Sequence, residues 1–258
     1  MTSTDELMRL LKKLRMSGVL QTLDVRTRQA AEDDLAHVDF LCRLLLDEVE
    51  RRDQKQLEQR VRRAAFEGHK TLEDFDFTFN PKIPKAKVLD LATCGFIDRK
   101  ENVLLVGNAG VGKSHIAQAL GQRACRLGHA VTYVSANDML RQLRAARADN
   151  TYERKLLRFT APALLIVDDL GLRPLVADEH TDLFEIIRQR YERGAIIITS
   201  NRDEEELARL FIDPLLASAA MDRLLHRAHV LVLEGDSFRN PPTNHRGGRT
   251  PAAKEVSK

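Results

Sequence analysis

The chain has 258 residues, 43% of them hydrophobic, with 41 Lys and Arg against 38 Asp and Glu. That supply of apolar side chains suffices for a packed core, while no apolar run approaches the roughly 20 residues of a membrane helix, so no membrane partner is expected. Cys42, Cys94 and Cys125 fall at no metal-ligand spacing and residues 1–6 hold no signal-peptide core, which points to a cytoplasmic protein with reduced thiols.

Residues 5–66 carry helical periodicity only. Leu7, Leu10, Leu11 and Leu14 recur at helical spacing, Gly18 interrupts, and a second pattern runs through Leu41, Leu44, Leu45 and Val49 behind Asp39 as a cap. The charged stretch RRDQKQLEQRVRRAAF continues it. Residues 1–66 are therefore expected to form a small all-helical domain of two to four helices. The period is lost over 67–85, where Phe75, Phe77 and Phe79 are followed by Pro81 and Pro84; this predicts a linker. From 86 to 238, short apolar runs at 103–106, 131–134, 163–167, 196–199 and 230–233 alternate with helical patterns at 113–127, 137–159 and 178–193, and two further helical stretches precede the last run. The alternation predicts an α/β domain with a parallel sheet covered on both faces. Residues 239–258 are rich in Pro, Gly and Arg and carry +4, which against the net +3 leaves −1 for the rest of the chain. That composition predicts a disordered tail, and any contact with nucleic acid must come from a local basic face.

The chemistry concentrates at three predicted strand ends. Gly107, Asn108, Ala109, Gly110, Val111, Gly112, Lys113 and Ser114 fit the phosphate loop G-x-x-x-x-G-K-[ST], with a strand before and the helix pattern from Lys113 after, and His115 next to the motif is counted with the nucleotide-binding residues. Glycines let the backbone curl around phosphate oxygens, and the helix N-terminus adds partial positive charge. Lys113 would reach the β- and γ-phosphates of ATP, and Ser114 would ligate Mg²⁺. The run LLIVDD ends in Asp168, assigned to the metal directly or through water, and Asp169, assigned to activation of the attacking water; Asp169 as a turn cap is the alternative. Asn201, after the run at 196–199, could position that water, although Ser-Asn after a strand is also ordinary turn chemistry. Ligands bind at the C-terminal edge of such sheets, where all three motifs fall.

The stretches LLKKLRMSGVL, LEDFDF, GNAGVGKSH, ARADNTYERKLLRF, LLIVDDLG, ITSNR and AAMDRLLHRAHVLVLEGDSFR span 10–239. Together they resemble the IstB family of ATPases that assist insertion-sequence transposases, which is related to the DnaC helicase loaders and DnaA initiators of the AAA+ class. The resemblance implies a P-loop AAA+ core without a C-terminal helical lid, ATP-dependent assembly into a homo-oligomer on duplex DNA, and a transposase partner. It matches Arg223 to an arginine finger acting on the neighbouring subunit's nucleotide, with a surface ion pair as the alternative and Arg227 as the fallback. It also places a DNA-facing helical element where Arg141, Arg144 and Arg147 recur every three residues, followed by Arg154, Lys155 and Arg158. Spaced arginines suit backbone phosphates and carry little base information; a solvated helix face is the alternative, and Lys55, Arg60, Arg62 and Arg63 form a rival basic face. Other functions compatible with the phosphate loop are a DnaC-like helicase loader, a small-molecule kinase, for which no acceptor site is evident, and a nucleotide-gated scaffold.

Overall fold

The computed structural model describes residues 3–176 and 178–239, so the expected tail from 240 onward lies outside the described residues. The chain divides into two compact units, Met1–Arg60 and Val61–Lys258. Among the described residues no helix is long and apolar enough to cross a membrane.

The first unit is helical: α1 (Ser3–Lys13), α2 (Ser17–Glu32) and most of α3 (His37–Ala64). Leu11, Val19, Leu23 and Leu44 form its core. Of the four apolar positions expected to face inward on α3, only Leu44 is buried; Leu41, Leu45 and Val49 are exposed. Gly18 does not break the chain into a loop. It sits in the first turn of α2, where an added Cβ would lie 2.6 Å from the Glu48 Cα. The Glu48 carboxylate in turn accepts the Gly18 and Val19 N–H groups, two of the donors a helix start leaves without intrahelical partners.

The second unit begins with two short helices, α4 (Lys85–Leu91) and α5 (Gly95–Asp98), and then alternates β1 (Val103–Gly107), α6 (Lys113–Arg126), β2 (Val131–Ser135), α7 (Ala136–Ala148), α8 (Tyr152–Thr160), β3 (Leu164–Leu170), α9 (Glu179–Arg190), β4 (Ala195–Ser200), α10 (Glu204–Ala208), α11 (Pro214–Leu225) and β5 (His229–Leu233). The sheet order is β2-β3-β4-β1-β5, all parallel. The inner strands are continuous buried apolar runs, as a sheet covered on both faces requires. The single helical stretch expected over 137–159 is two helices: Asn150 takes φ +56°, and the Asp149 carboxylate accepts the Thr151 N–H and hydroxyl between them. Caps fix the helix starts. The Ser135 hydroxyl accepts the Asp138 N–H for α7, and Asp213 accepts the Leu215 N–H for α11, with Pro214 in the first turn.

Two buried polar residues tie the start of the sheet together. Asn102 donates to the Leu224 carbonyl oxygen at 2.9 Å and accepts the Ile196 N–H at 3.0 Å, while its own carbonyl accepts the His229 N–H. Arg190, 1% exposed, fans its guanidinium over the carbonyl oxygens of Phe159, Thr160, Pro162, Ala163 and Ala195 at 2.6–3.2 Å. These are the carbonyls of the end of α8, of the turn between α8 and β3, and of the first residue of β4. Burial lowers the Arg190 pKa to about 10, still far enough above neutrality to keep the group charged. Arg190→Met removes every donor from this cluster and should destabilise the fold by about 3 kcal/mol or more, read as a lower urea midpoint at unchanged slope. Arg190→Lys should restore only part of the loss, because an ammonium has three donors and no planar fork.

Candidate nucleotide-binding site

The three motifs meet at the C-terminal ends of β1, β3 and β4. The loop after β1 turns on Gly110 and Gly112, whose φ values of +83° and +99° disfavour any other residue. Space is limiting as well: a Cβ on Gly112 would lie 2.5 Å from the Phe75 ring, and one on Gly110 would lie 2.1 Å from the Ser237 hydroxyl. Lys113 opens α6, is 4% exposed, and donates from Nζ to the Gly107 and Asn108 carbonyl oxygens at 2.8 and 2.7 Å and to Asn201 Oδ1 at 2.6 Å. Burial pushes its pKa below the ordinary lysine value, and the negative charges of Asp169 and Asp168 oppose that shift. His115 Nε2 lies 2.8 Å from the Thr71 carbonyl oxygen, so Nε2 is the protonated nitrogen and the ring fastens α6 to the 67–85 segment.

Asp168 and Asp169 occupy different environments. Asp168 is buried, with Oδ2 accepting the Tyr133 hydroxyl at 2.6 Å and Oδ1 accepting the Thr199 hydroxyl. Burial, with the Asp168 hydrogen bond, raises the Tyr133 pKa and keeps the phenol protonated. Asp169 lines the cleft. At the end of β3 the register slips, from Val167 opposite Ile198 to Leu170 opposite Ser200. The extra residue forms a β-bulge, in which Asp169 adopts φ +57° and its N–H donates to Thr199 Oγ1 at 2.8 Å. Burial raises the Asp169 pKa and Asp168 adds to it, while Lys113 and Arg239 act in the opposite direction.

The cleft in front of these groups has a volume of about 890 Å³. It is lined by Lys113, Ser114, Asp169 and Asn201 together with Phe75, Phe79 and Phe238. The segment 67–85, expected as a linker, thus supplies part of the cleft wall. The donors suit Mg²⁺, a hard cation that takes oxygen ligands and keeps several of them as water or phosphate: the cleft offers the Ser114 hydroxyl as a ligand and the Asp169 carboxylate as an acceptor for a bound water. Asp168, expected as the metal ligand, stands behind Asp169 with both oxygens hydrogen-bonded.

The remaining candidates lie elsewhere. Arg223, on α11, donates to the Ala219 carbonyl oxygen at 2.7 Å and packs over Phe184 and Tyr191. With Arg227 it lines a pocket near Asn102 and Ile196, at the starts of β1 and β4, the opposite edge of the sheet from the phosphate loop of the same chain. On α7, Arg141 is exposed and pairs with Asp138 at 2.6 Å. Arg144 and Arg147 pair with Glu179 and Asp182 of α9, both carboxylates 1% exposed, and Arg147 also stacks over Tyr152. The two arginines therefore have a packing task that their spacing does not reveal. A second cluster lies on α8: Lys155 and Arg158 donate to Gln142, and with Arg154 they line a cleft of about 370 Å³.

Fold and site together define a P-loop nucleotide-binding protein with an AAA+ core. A family model described as IstB-like ATP binding protein matches residues 9–245, and the chain belongs to that family. It is 41% identical to a protein from Mycobacterium tuberculosis described as ATP-binding in an insertion sequence, over 93% of this chain and 95% of the relative. It is 38% identical to the corresponding protein of insertion sequence IS21 from Pseudomonas aeruginosa, over 91% and 88%. Among solved structures it resembles DnaI (TM-score 0.57, 22% identity, 64% of this chain and 92% of that one) and AMPPCP-bound DnaA from Aquifex aeolicus (TM-score 0.56, 22% identity, 67% and 52%); these likenesses concern the fold.

The raised Asp169 pKa has a consequence for stability. An acid whose pKa is higher in the folded state lowers stability once it ionises, in full above the folded pKa and not at all below the ordinary value of 3.8. Asp169→Asn should therefore raise the melting temperature of the nucleotide-free protein at pH 7, and the gain should vanish as the pH falls below 3.8. Calorimetric melting of both proteins across that range checks it.

Proposed function

We propose that this protein is a Mg²⁺-dependent ATPase that assembles as a homo-oligomer on duplex DNA and assists a transposase. The observation that carries the ATPase reading is the meeting of Lys113, Asp169 and Asn201 in one cleft. Lys113 neutralises the β- and γ-phosphate oxygens, Ser114 holds the metal, and Asp169 and Asn201 orient and polarise the attacking water. When bound, Mg²⁺ neutralises charge on the phosphate oxygens. Asp168, held by Tyr133 and Thr199, keeps the end of β3 in the form that presents Asp169. Arg223 faces away from its own phosphate loop, so its action on a phosphoryl group requires a neighbouring copy. The transposase partner follows from the insertion-sequence relatives, and the work belongs in the cytoplasm, where ATP and DNA are found.

Nucleotide affinity and phosphate release test the site. Lys113→Ala should abolish ATP binding. Asp169→Asn should bind ATP but hydrolyse it about 10²- to 10⁴-fold more slowly, the usual contribution of a positioned base. Arg223→Ala should bind ATP and turn it over about a thousandfold more slowly. A mixture of Asp169→Asn and Arg223→Ala subunits should exceed either alone, since some interfaces then pair an intact acid with an intact finger; a mixture no faster than its components removes the support for action between subunits.

For DNA, we propose that the face of α7 and α8 binds backbone phosphates. Arg141 with Arg154, Lys155 and Arg158 supply most of the positive charge, and Arg144 and Arg147 both hold the face to α9 and present their exposed edges to it. Replacing Arg154, Lys155 and Arg158 with Ala should flatten the slope of log affinity against log salt by about 0.9 for each phosphate no longer neutralised, equally on unrelated duplexes. If Arg60, Arg62 and Arg63→Ala removes the salt dependence instead, the DNA face lies on the rival helix.

A further inference from the structure

The sequence EGDSFR at 234–239 follows β5 and has no task in the mechanism above. In the structure it folds back over the phosphate loop. The Phe238 N–H donates to the Gly110 carbonyl oxygen at 2.9 Å. Asn80, 3% exposed, grips the same strap by both backbone groups of one residue: its Nδ2 donates to the Asp236 carbonyl oxygen at 2.9 Å and its Oδ1 accepts the Asp236 N–H at 2.8 Å. Gly235 permits the approach, since with φ +141° a Cβ there would lie 2.3 Å from Asn80 Oδ1. The Phe238 ring packs on Phe79 and Phe75, with centroids 4.3 and 5.4 Å apart, and Phe75 packs on His115. One backbone bond thus ties the strap to the loop, and Asn80 and the aromatic rings tie it to the 67–85 segment.

The residue delivered by this strap is Arg239. It lines the cleft with Lys113, Ser114, Asp169 and Asn201, and its backbone N–H donates to the Ser237 hydroxyl at 3.2 Å. Its charge opposes protonation of both Lys113 and Asp169, which line the same cleft. A guanidinium presents a planar fork of donors that matches phosphate oxygens in pairs.

We propose that Arg239 is a phosphate-binding residue of its own chain's nucleotide site, holding the terminal phosphate of a nucleoside triphosphate from the strap clipped to the loop. The proposal rests on the nucleotide reading of the cleft. It assigns to one chain a cation that precedes assembly, unlike Arg223, which serves a neighbour.

The test compares ATP and ADP affinity of the full chain by titration calorimetry with Mg²⁺, in dilute protein without DNA. Arg239 is exposed, so its variants should fold. Arg239→Ala should weaken ATP about ten- to a hundredfold, the range for a hydrogen bond to a charged group, and ADP less than about threefold. Arg239→Lys should recover part of the ATP affinity, which a loss of packing alone does not predict. Asn80→Ala, which leaves Arg239 in place but frees the strap, should show a smaller loss of the same ATP-selective kind. Equal losses for ATP and ADP, or none, in Arg239→Ala overturn the assignment while leaving the cleft as the nucleotide site. A wild-type protein that binds neither nucleotide, with Lys113→Ala unchanged from it, overturns the nucleotide reading itself.

Discussion

One hydroxyl decides how the acid pair is presented. Thr199, on β4, donates to Asp168 and accepts the N–H of Asp169. In a regular strand, consecutive side chains point to opposite faces, and one of two adjacent acids would be lost to the far side of the sheet. The bulge held by Thr199 adds a residue to β3 and puts Asp169 in a left-handed conformation, so that the second acid lines the cleft while the first stays inside. A non-glycine residue with positive φ at a functional site is stored strain that its surroundings must hold in place. The two bonds of Thr199 are part of that hold, and Tyr133 secures Asp168 from β2.

The fold class was legible in the sequence because each part depended on local pattern. Alternating apolar runs and helical periods gave the α/β layers, and the phosphate loop declares itself because its glycines are demanded by backbone angles. What escaped were features whose partner lies far along the chain. The segment 67–85 lacks a period, so it reads as a spacer; its task is set by Gly112, by the bond between Thr71 and His115, and by the strap beyond β5. The break between α7 and α8 contains neither Gly nor Pro, and the local hints were Asp149, Asn150 and Thr151. Spacing put Arg141, Arg144 and Arg147 on α7, but spacing cannot say that α9 meets two of them with buried carboxylates. Phe75 and Phe79, two of the three phenylalanines at alternate positions from Phe75, line the cleft and were the available signal for its wall; a run of aromatics in a polar stretch is not explained by a flexible spacer.

The arginines of this protein divide by what they satisfy. Arg190 is spent on carbonyl oxygens in the interior, Arg147 on the buried Asp182 carboxylate, and Arg144 shares the buried Glu179 carboxylate with Arg173. Removing one partner of such a pair leaves an uncompensated charge, a strongly destabilising change. A scan that replaces each arginine in turn will therefore mark several of them as essential for reasons of folding, and protein yield must be separated from ligand binding before any is assigned to a surface.

The strap also bears on when the site comes into being. Asn80 and Asp236 stand 156 residues apart in sequence, yet their bonds join two segments that both line the cleft, through Phe79 and Phe238. Pairings of such long range form only after the intervening chain has been ordered. During synthesis the phosphate loop leaves the ribosome more than a hundred residues ahead of Phe238, which bonds to it. A nascent chain thus carries the loop well before it has a finished nucleotide site, and a product cut short within β5 would retain every residue of the phosphate motif while lacking the wall that completes it.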